Sequence, residues 1–359
     1  MSHLSKAMLA ASALALSAAA AIAADAPAFY RLQSTLDLGG TGTSYDHIDY
    51  NPATHLAYLS RRADGLTVVD VVANKVVAQV ANAKGSGATA FAIKLDRGFT
   101  ANTDGSTSVF KLSDNSPVDR ISFGDNFDGV VYDEATNLLA YQQADNSKEL
   151  LVDAATMKLV GTIEVKGEQL ERPVLDGKSN LYLPLRDTNK LYKISLKDKK
   201  IVADWDVSAK CGQPSGSEFD IANNRVLLVC RGSQVKPVLA IVDAETGAVV
   251  ADNAIPRAAD DIILDPASKQ LFVAGGGDGI LAVYKQDGAD KYTLTEALQT
   301  NPGMRVFRVD FASGKVFGMN AEGVYDASKK NLAIWNTFYP NSYTPGTFKM
   351  FTFGRGAAK

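Results

Sequence analysis

The feature that most constrains this chain is a unit that recurs along nearly its whole length. Each copy has an apolar run, a short Asp/Asn/Pro turn, a second apolar run, a polar loop, a third run and another turn into a fourth. One copy reads Asp46-His47-Ile48-Asp49-Tyr50-Asn51-Pro52 followed by His55-Leu56-Ala57-Tyr58-Leu59. It returns as Asp128-Gly129-Val130-Val131-Tyr132-Asp133 with Asn137-Leu138-Leu139-Ala140-Tyr141, and as Asp260-Asp261-Ile262-Ile263-Leu264-Asp265-Pro266 with Gln270-Leu271-Phe272-Val273-Ala274. Anchored on the first turn, Asn51, Asp96, Asp133, Asp176, Asp220, Asp265 and Asp310 lie 45, 37, 43, 44, 45 and 45 residues apart, which makes seven units. A second anchor agrees: Val68-Val69-Asp70, Leu151-Val152-Asp153 and Ile241-Val242-Asp243 are separated by 83 and 90 residues, two units each time.

The apolar runs are 4 to 7 residues long and rich in Val, Ile, Leu, Tyr and Phe, and no helical period is sustained beyond the N-terminal segment. Four short strands every ~45 residues is the period of a propeller blade. The expected fold is therefore all-β: a single seven-bladed β-propeller of four-stranded antiparallel blades. Such a ring must close, because open end strands would template pairing with other chains. The seventh unit offers Arg305 to Asp310, Lys315 to Met319 and Asn331 to Trp335, and Arg31 to Leu38 is expected to supply the outer strand. The tail after Asn336, with Phe338, Tyr339, Tyr343, Phe348, Phe351 and Phe353, is expected to pack across a propeller face or blade edge.

Residues 1–23 stand apart. Lys6, the Ala/Leu-rich run from Ala7 to Ala20, and the small-x-small Ala21-Ile22-Ala23 read as a cleaved secretory signal. The propeller and its tail then occupy residues 24–359, and a soluble, exported (periplasmic or secreted) monomer is expected, since no later run reaches the ~20 apolar residues of a membrane span. Nothing in the balance of 37 basic and 40 acidic residues points to a polyanion-binding surface, and no nucleic-acid partner is expected. Cys211 and Cys230, the only cysteines, lie on either side of the turn at Asp220. A hairpin there sets them opposite each other, and in an oxidising compartment a disulfide is expected.

The units Asp70 to Val77 (DVVANKVV), Asp153 to Val160 (DAATMKLV) and Asp243 to Val250 (DAETGAVV), together with the Asp-turn hairpins, resemble the YVTN family of propellers, in particular its exported YncE-like members. The resemblance runs from about Arg31 to Trp335, although the literal YVTN tetrapeptide is absent. It implies the fold and leaves the chemistry open, since similar architectures serve as lactone hydrolases, streptogramin lyases and haem domains.

In such propellers the start of each innermost strand and the loop between the second and third strands open on one face, around the central channel, where pockets of closed β architectures tend to sit. Five residues before the anchors stand Asp46, Phe91, Asp128, Glu171, Ser215, Asp260 and Arg305. Ten or eleven residues after them stand Arg61 and Arg62, Arg186 and Arg231, with Ser106, Gln143, Gly275 and Asn320 in the other units, and Arg172 adds to the basic set. Arginine forks suit a carboxylate or phosphate. The ligand-binding candidates are thus Asp46, His47, Arg61, Arg62, Asp128, Glu171, Arg172, Arg186, Arg231, Asp260 and Arg305. The alternative is that each acid merely pairs with a neighbouring Arg as a structural repeat residue. Expected partners are a small polar or anionic ligand, or a periplasmic protein. A lactonase- or lyase-type enzyme would need Asp46 with His47 as its proton-transfer pair, and a haem or redox role would use His47 as a single axial ligand. No cofactor is assigned. With only His47 and His55 beyond the leader, a site of several imidazoles is not expected. The turn places His55 near the opposite face.

Overall fold

A computed structural model describes residues 29–232, 235–328 and 340–356. It contains seven four-stranded antiparallel sheets arranged as a ring, a seven-bladed β-propeller. The innermost strands are Ile48–Asn51, Ser86–Ala92, Gly129–Asp133, Val174–Leu175, Pro214–Asp220, Ala259–Asp265 and Phe307–Asp310, in blades one to seven. Six blades are simple meanders in chain order.

Burial follows position in the blade. Second and third strands have neighbours on both faces, so they read as continuous apolar runs: Leu227, Leu228 and Val229 are all fully buried. Outermost strands have one face in water and alternate, as Lys75–Val80 and Val249–Ala254 do. The repeated aspartate has a local task. Asp133 accepts hydrogen bonds from the backbone N–H and the hydroxyl of Thr136, at 3.1 and 2.6 Å, and Asp220, Asp265 and Asp310 hold Asn223, Ser268 and Ser313 in the same way. The next turn residues reach the left-handed region that Asn tolerates, with φ 59° at Asn137 and 51° at Asn224. The motif that reveals the repeat therefore fixes hairpin turns.

Blade seven is built from both ends of the chain. Its strand order is Phe307–Asp310, Lys315–Asn320, Lys349–Gly354 and, outermost, Arg31–Asp37. The N-terminal strand closes the ring as expected. The third strand is a correction: Lys349–Gly354 takes the place assigned to Asn331 to Trp335, which lie outside the described residues, as do Phe338 and Tyr339. Phe351 faces Gly318 and Phe353 faces Val316 across the ladder, both buried, and Phe348 just before them is fully buried. These aromatic side chains fill blade seven and its interfaces; they do not lie across a face. The propeller signal failed here because the chain leaves the blade after its second strand and returns some thirty residues later.

Blade two needs a second correction. Ala92 pairs with Arg97 as Asn51 pairs with Leu56, so its turn anchor is Ala92, and a 3-10 turn at Ile93–Leu95 displaced the count to Asp96. In blade five, Cys211 and Cys230 form a disulfide with Cα atoms 5.2 Å apart, next to the Pro214–Cys230 pair of the hairpin. Closing a loop of about twenty residues contributes about 3 kcal/mol. Replacing both cysteines by serine should lower unfolding stability by that order in a denaturant titration, and an unchanged midpoint would refute it. Among the described residues no helix is long and apolar enough to cross a membrane.

Candidate functional site

Nine of the eleven candidates converge. Asp46, His47, Arg62, Asp128, Glu171, Arg186, Arg231, Asp260 and Arg305 line one cavity of about 360 Å³ at a mouth of the central channel. The acids start the innermost strands, often at a bulge: in blades five and six the register slips between Pro214 and Gly216 and between Ala259 and Asp261, which turns Ser215 and Asp260 out of the ladder. Blade two slips likewise between Ser86 and Ala88, so Gly87 holds the position expected of Phe91. Phe91 instead packs against Tyr58, with ring centroids 4.8 Å apart. A Cβ on Gly87 would stand 3.4 Å from the Asp46 carboxylate.

The arginines and acids alternate around the mouth. Arg62 is paired with Asp46 and lies 3.9 Å from Asp128. Arg186 meets Glu171 at 2.5 Å and is steadied by Gln169 through its Nε at 3.0 Å. Asp260 is shared: one oxygen takes Arg231 and the other takes Arg305 Nε at 2.9 Å. Arg305 also donates to the Tyr45 carbonyl at 3.2 Å and stacks over the Tyr45 ring. Pairing of acids with neighbouring arginines, the structural alternative, is thus present at all four acids, closely at Asp46, Glu171 and Asp260 and at 3.9 Å for Asp128.

Charge does not cancel. Burial, with Asp46 and Glu171 adding, pushes the Asp128 carboxyl up to about 8 against the pull of Arg62 and Arg186, although about a third of its side chain opens to the channel. Burial likewise raises Glu171 above the ordinary carboxylate range. Asp260 goes the other way, since Arg231 and Arg305 outweigh its burial. Around pH 7 four guanidinium groups therefore face no more than three ionised carboxylates. His47 is buried, its Nε2 3.8 Å from Asp46, and its Nδ1 has no hydrogen-bond partner among the described residues.

Two candidates lie elsewhere. Arg61 is buried against the chain entering blade one: it bonds Asp64 at 2.7 Å and the Leu38 carbonyl at 3.2 Å, and lies over the Phe348 ring. Arg172 points into the channel. From the start of blade four it reaches Asp49 of blade one at 2.6 Å. Arg308 of blade seven also meets Asp49, at 3.3 Å, and bonds Asp261 of blade six at 2.6 Å. This lattice of two arginines and two aspartates crosses the channel below the mouth. His55 is exposed near the other end, its Nδ1 3.2 Å from the Tyr50 hydroxyl.

Sequence reasoning missed Tyr45, Tyr343, Pro340 and Asn341, which also line the mouth. Tyr343 packs edge-to-face on Tyr45 at 5.2 Å, so the excursion from blade seven forms one wall. It missed Asp49 and Arg308 too, although each stands three residues after a candidate, inside an otherwise apolar inner strand.

A seven-bladed propeller with a charged channel mouth is the class that fold and site define. No family model matches the chain, and no curated protein matches it. Among solved structures it is similar to Kuenenia stuttgartiensis hydrazine synthase, with 14% identity and a TM-score of 0.66 over 79% of this chain and 94% of that one. It is also similar to a chain of the mitotic checkpoint complex, with 11% identity and a TM-score of 0.69 over 88% of this chain and 96% of that one. At such identity these likenesses establish the fold alone.

Proposed function

We propose that this chain is an exported, YncE-like propeller that binds a small anionic ligand at the mouth lined by Arg62, Arg186, Arg231 and Arg305. The observation that carries the reading is the excess of guanidinium over ionised carboxylate in a concave site, which suits bidentate capture of carboxylate or phosphate. Export is supported by the leader-like residues 1–23 and agrees with the disulfide. Binding is favoured over turnover because Asp46, the base partner that His47 would need, is engaged by Arg62 and stands 3.8 Å from the imidazole, beyond hydrogen-bond distance.

Thermal unfolding in the presence of phosphate, succinate or mannitol tests this. Phosphate or succinate should raise the midpoint and mannitol should not, as expected of a ligand that binds only the folded state. Arg186→Ala should fold and lose the anion effect. The sign with pH follows from Asp128: its protonated form favours an anion, so affinity should fall as pH rises through about 8. Asp128→Asn should flatten that dependence. No stabilisation by either anion, or equal stabilisation of Arg186→Ala, would overturn the proposal.

A further inference from the structure

The channel has a second opening, and its chemistry differs. On the other side of the Asp49–Arg172–Arg308–Asp261 lattice lies a cavity of about 640 Å³, large enough for a molecule with a dozen or so heavy atoms. Its walls are apolar: Val131, Val174, Leu175, Ile263 and Val309, with the half-exposed Phe311 at the rim. These residues come from inner strands of blades three, four, six and seven, or directly follow one, so rigid ladders hold them.

The polar groups on this cavity do not balance. Arg172 is engaged by Asp49 and Arg308 by both Asp49 and Asp261, while Asp260 is held by Arg231 and Arg305 at the other mouth. His55 and Tyr50, also on the cavity, are hydrogen-bonded to each other, and of the carboxylates that leaves Glu218 and Asp310. Asp310 is occupied by its own turn through Ala312 and Ser313. Glu218 accepts the Phe219 N–H at 2.9 Å and has no ion pair among the described residues. Burial pushes its carboxyl up to about 7, against the backbone N–H groups of Phe219 and Leu264 and the charge of Arg308, with Asp261 adding a little. A carboxyl in that position is held between its charged and neutral forms, and a cation beside it would settle it as charged.

We propose that this second cavity is a binding site for an amphipathic amine, whose ammonium pairs with Glu218 while its hydrocarbon or aromatic body fills the apolar walls. The site is separate from the anion-binding mouth and opposite to it in sign. A part-buried carboxylate without an ion pair among the described residues, in a cavity with apolar walls and Phe311 at its rim, is well matched to such a ligand.

The test is calorimetric titration of the full chain with three probes of one shape: 2-phenylethylammonium, 2-phenylethanol and 3-phenylpropionate. The amine should bind about tenfold or more tightly than the alcohol, and the acid should bind weakest. Glu218→Gln, which keeps an acceptor for Phe219, should bring the amine down to the level of the alcohol and leave the alcohol unchanged. Amine binding should persist in Arg186→Ala, which separates this site from the other mouth. Alcohol binding as tight as amine binding, tightest binding of the acid, or an undiminished amine affinity in Glu218→Gln would each overturn the proposal. The wild-type ranking of the three probes decides it even if the variant fails to fold.

Discussion

Replacing Asp49 by alanine should cost this protein about 3–5 kcal/mol of unfolding stability, more than any comparable substitution at the channel mouth. Asp49 is buried, accepts the Thr89 N–H at 2.8 Å, and faces both Arg172 and Arg308. Removing it leaves Arg172 without its counter-charge and Arg308 with Asp261 alone, and the cost is mainly that of the uncompensated Arg172 charge. Burial works to raise the Asp49 carboxyl, yet the two arginines outweigh it and hold it below its ordinary value. A depressed carboxyl adds stability above its unfolded-state pKa, near 4, and loses it as pH falls through the folded value. The gap between wild type and Asp49→Ala, measured by urea unfolding, should therefore be full at pH 7 and shrink on acidification below about pH 4. A combined Asp49→Leu/Arg172→Met variant, which keeps the Arg308–Asp261 pair, should recover much of the loss, because no unpaired guanidinium is then left in the channel. If Asp49→Ala lay within about 1 kcal/mol of wild type at pH 7, the lattice would not be the element that ties opposite blades together.

Why the architecture was legible and half of the site chemistry was not follows from what each part depends on. The repeat was visible because the turn in most blades uses an Asp with a hydroxyl or amide partner, as at Asp133 with Thr136 and Asp310 with Ser313, although blade one has Asn51 and blade two Ala92 there. The mouth was visible for a related reason: strand starts recur at a fixed offset from those turns, which places Asp46, Asp128, Glu171 and Asp260 together. Offsets fail where the backbone changes length. The 3-10 turn of blade two hid Gly87 behind Phe91, and the long excursion of blade seven hid both Tyr343 and the strand Lys349–Gly354. Side-chain direction was not legible either. Arg61 and Arg62 are neighbours, yet Arg62 enters the mouth with φ 40° while Arg61 turns back to the Leu38 carbonyl. Arg172 follows Glu171 and serves the channel, because consecutive residues at a strand start take opposite directions.

The same channel thus presents two different surfaces. At one mouth four arginines outnumber the ionised acids; at the other, apolar walls carry Glu218, which has no ion pair among the described residues, and the buried lattice stands between them. Asp260 touches both cavities and is fixed by Arg231 and Arg305, so neither mouth borrows its charge. A fold made of near-identical blades acquires this polarity because the inner strands carry charge at their starts in blades one, three, four, six and seven, and three residues further in blades one, five and seven.

The second large effect concerns Glu149, in the third strand of blade three and fully buried. Its Oε1 accepts the Gln142 side-chain N–H at 2.6 Å, while among the described residues Oε2 has no partner and no cation is paired with it. Burial pushes the carboxyl up to about 8, only partly offset by Gln142, so at neutral pH the folded protein holds a proton that the unfolded chain releases. The sign is opposite to that of Asp49. Stability from this group is complete below the unfolded pKa, near 4.5, falls with rising pH by at most about 1.4 kcal/mol per unit, and levels off above about 8. Glu149→Gln keeps the acceptor for Gln142 and removes the titration. It should match wild type at pH 5 and exceed it by about 2–4 kcal/mol at pH 8 in urea unfolding. A constant difference between the two proteins across that range would mean that Glu149 is ionised in the fold, and that a compensating charge or water reaches it.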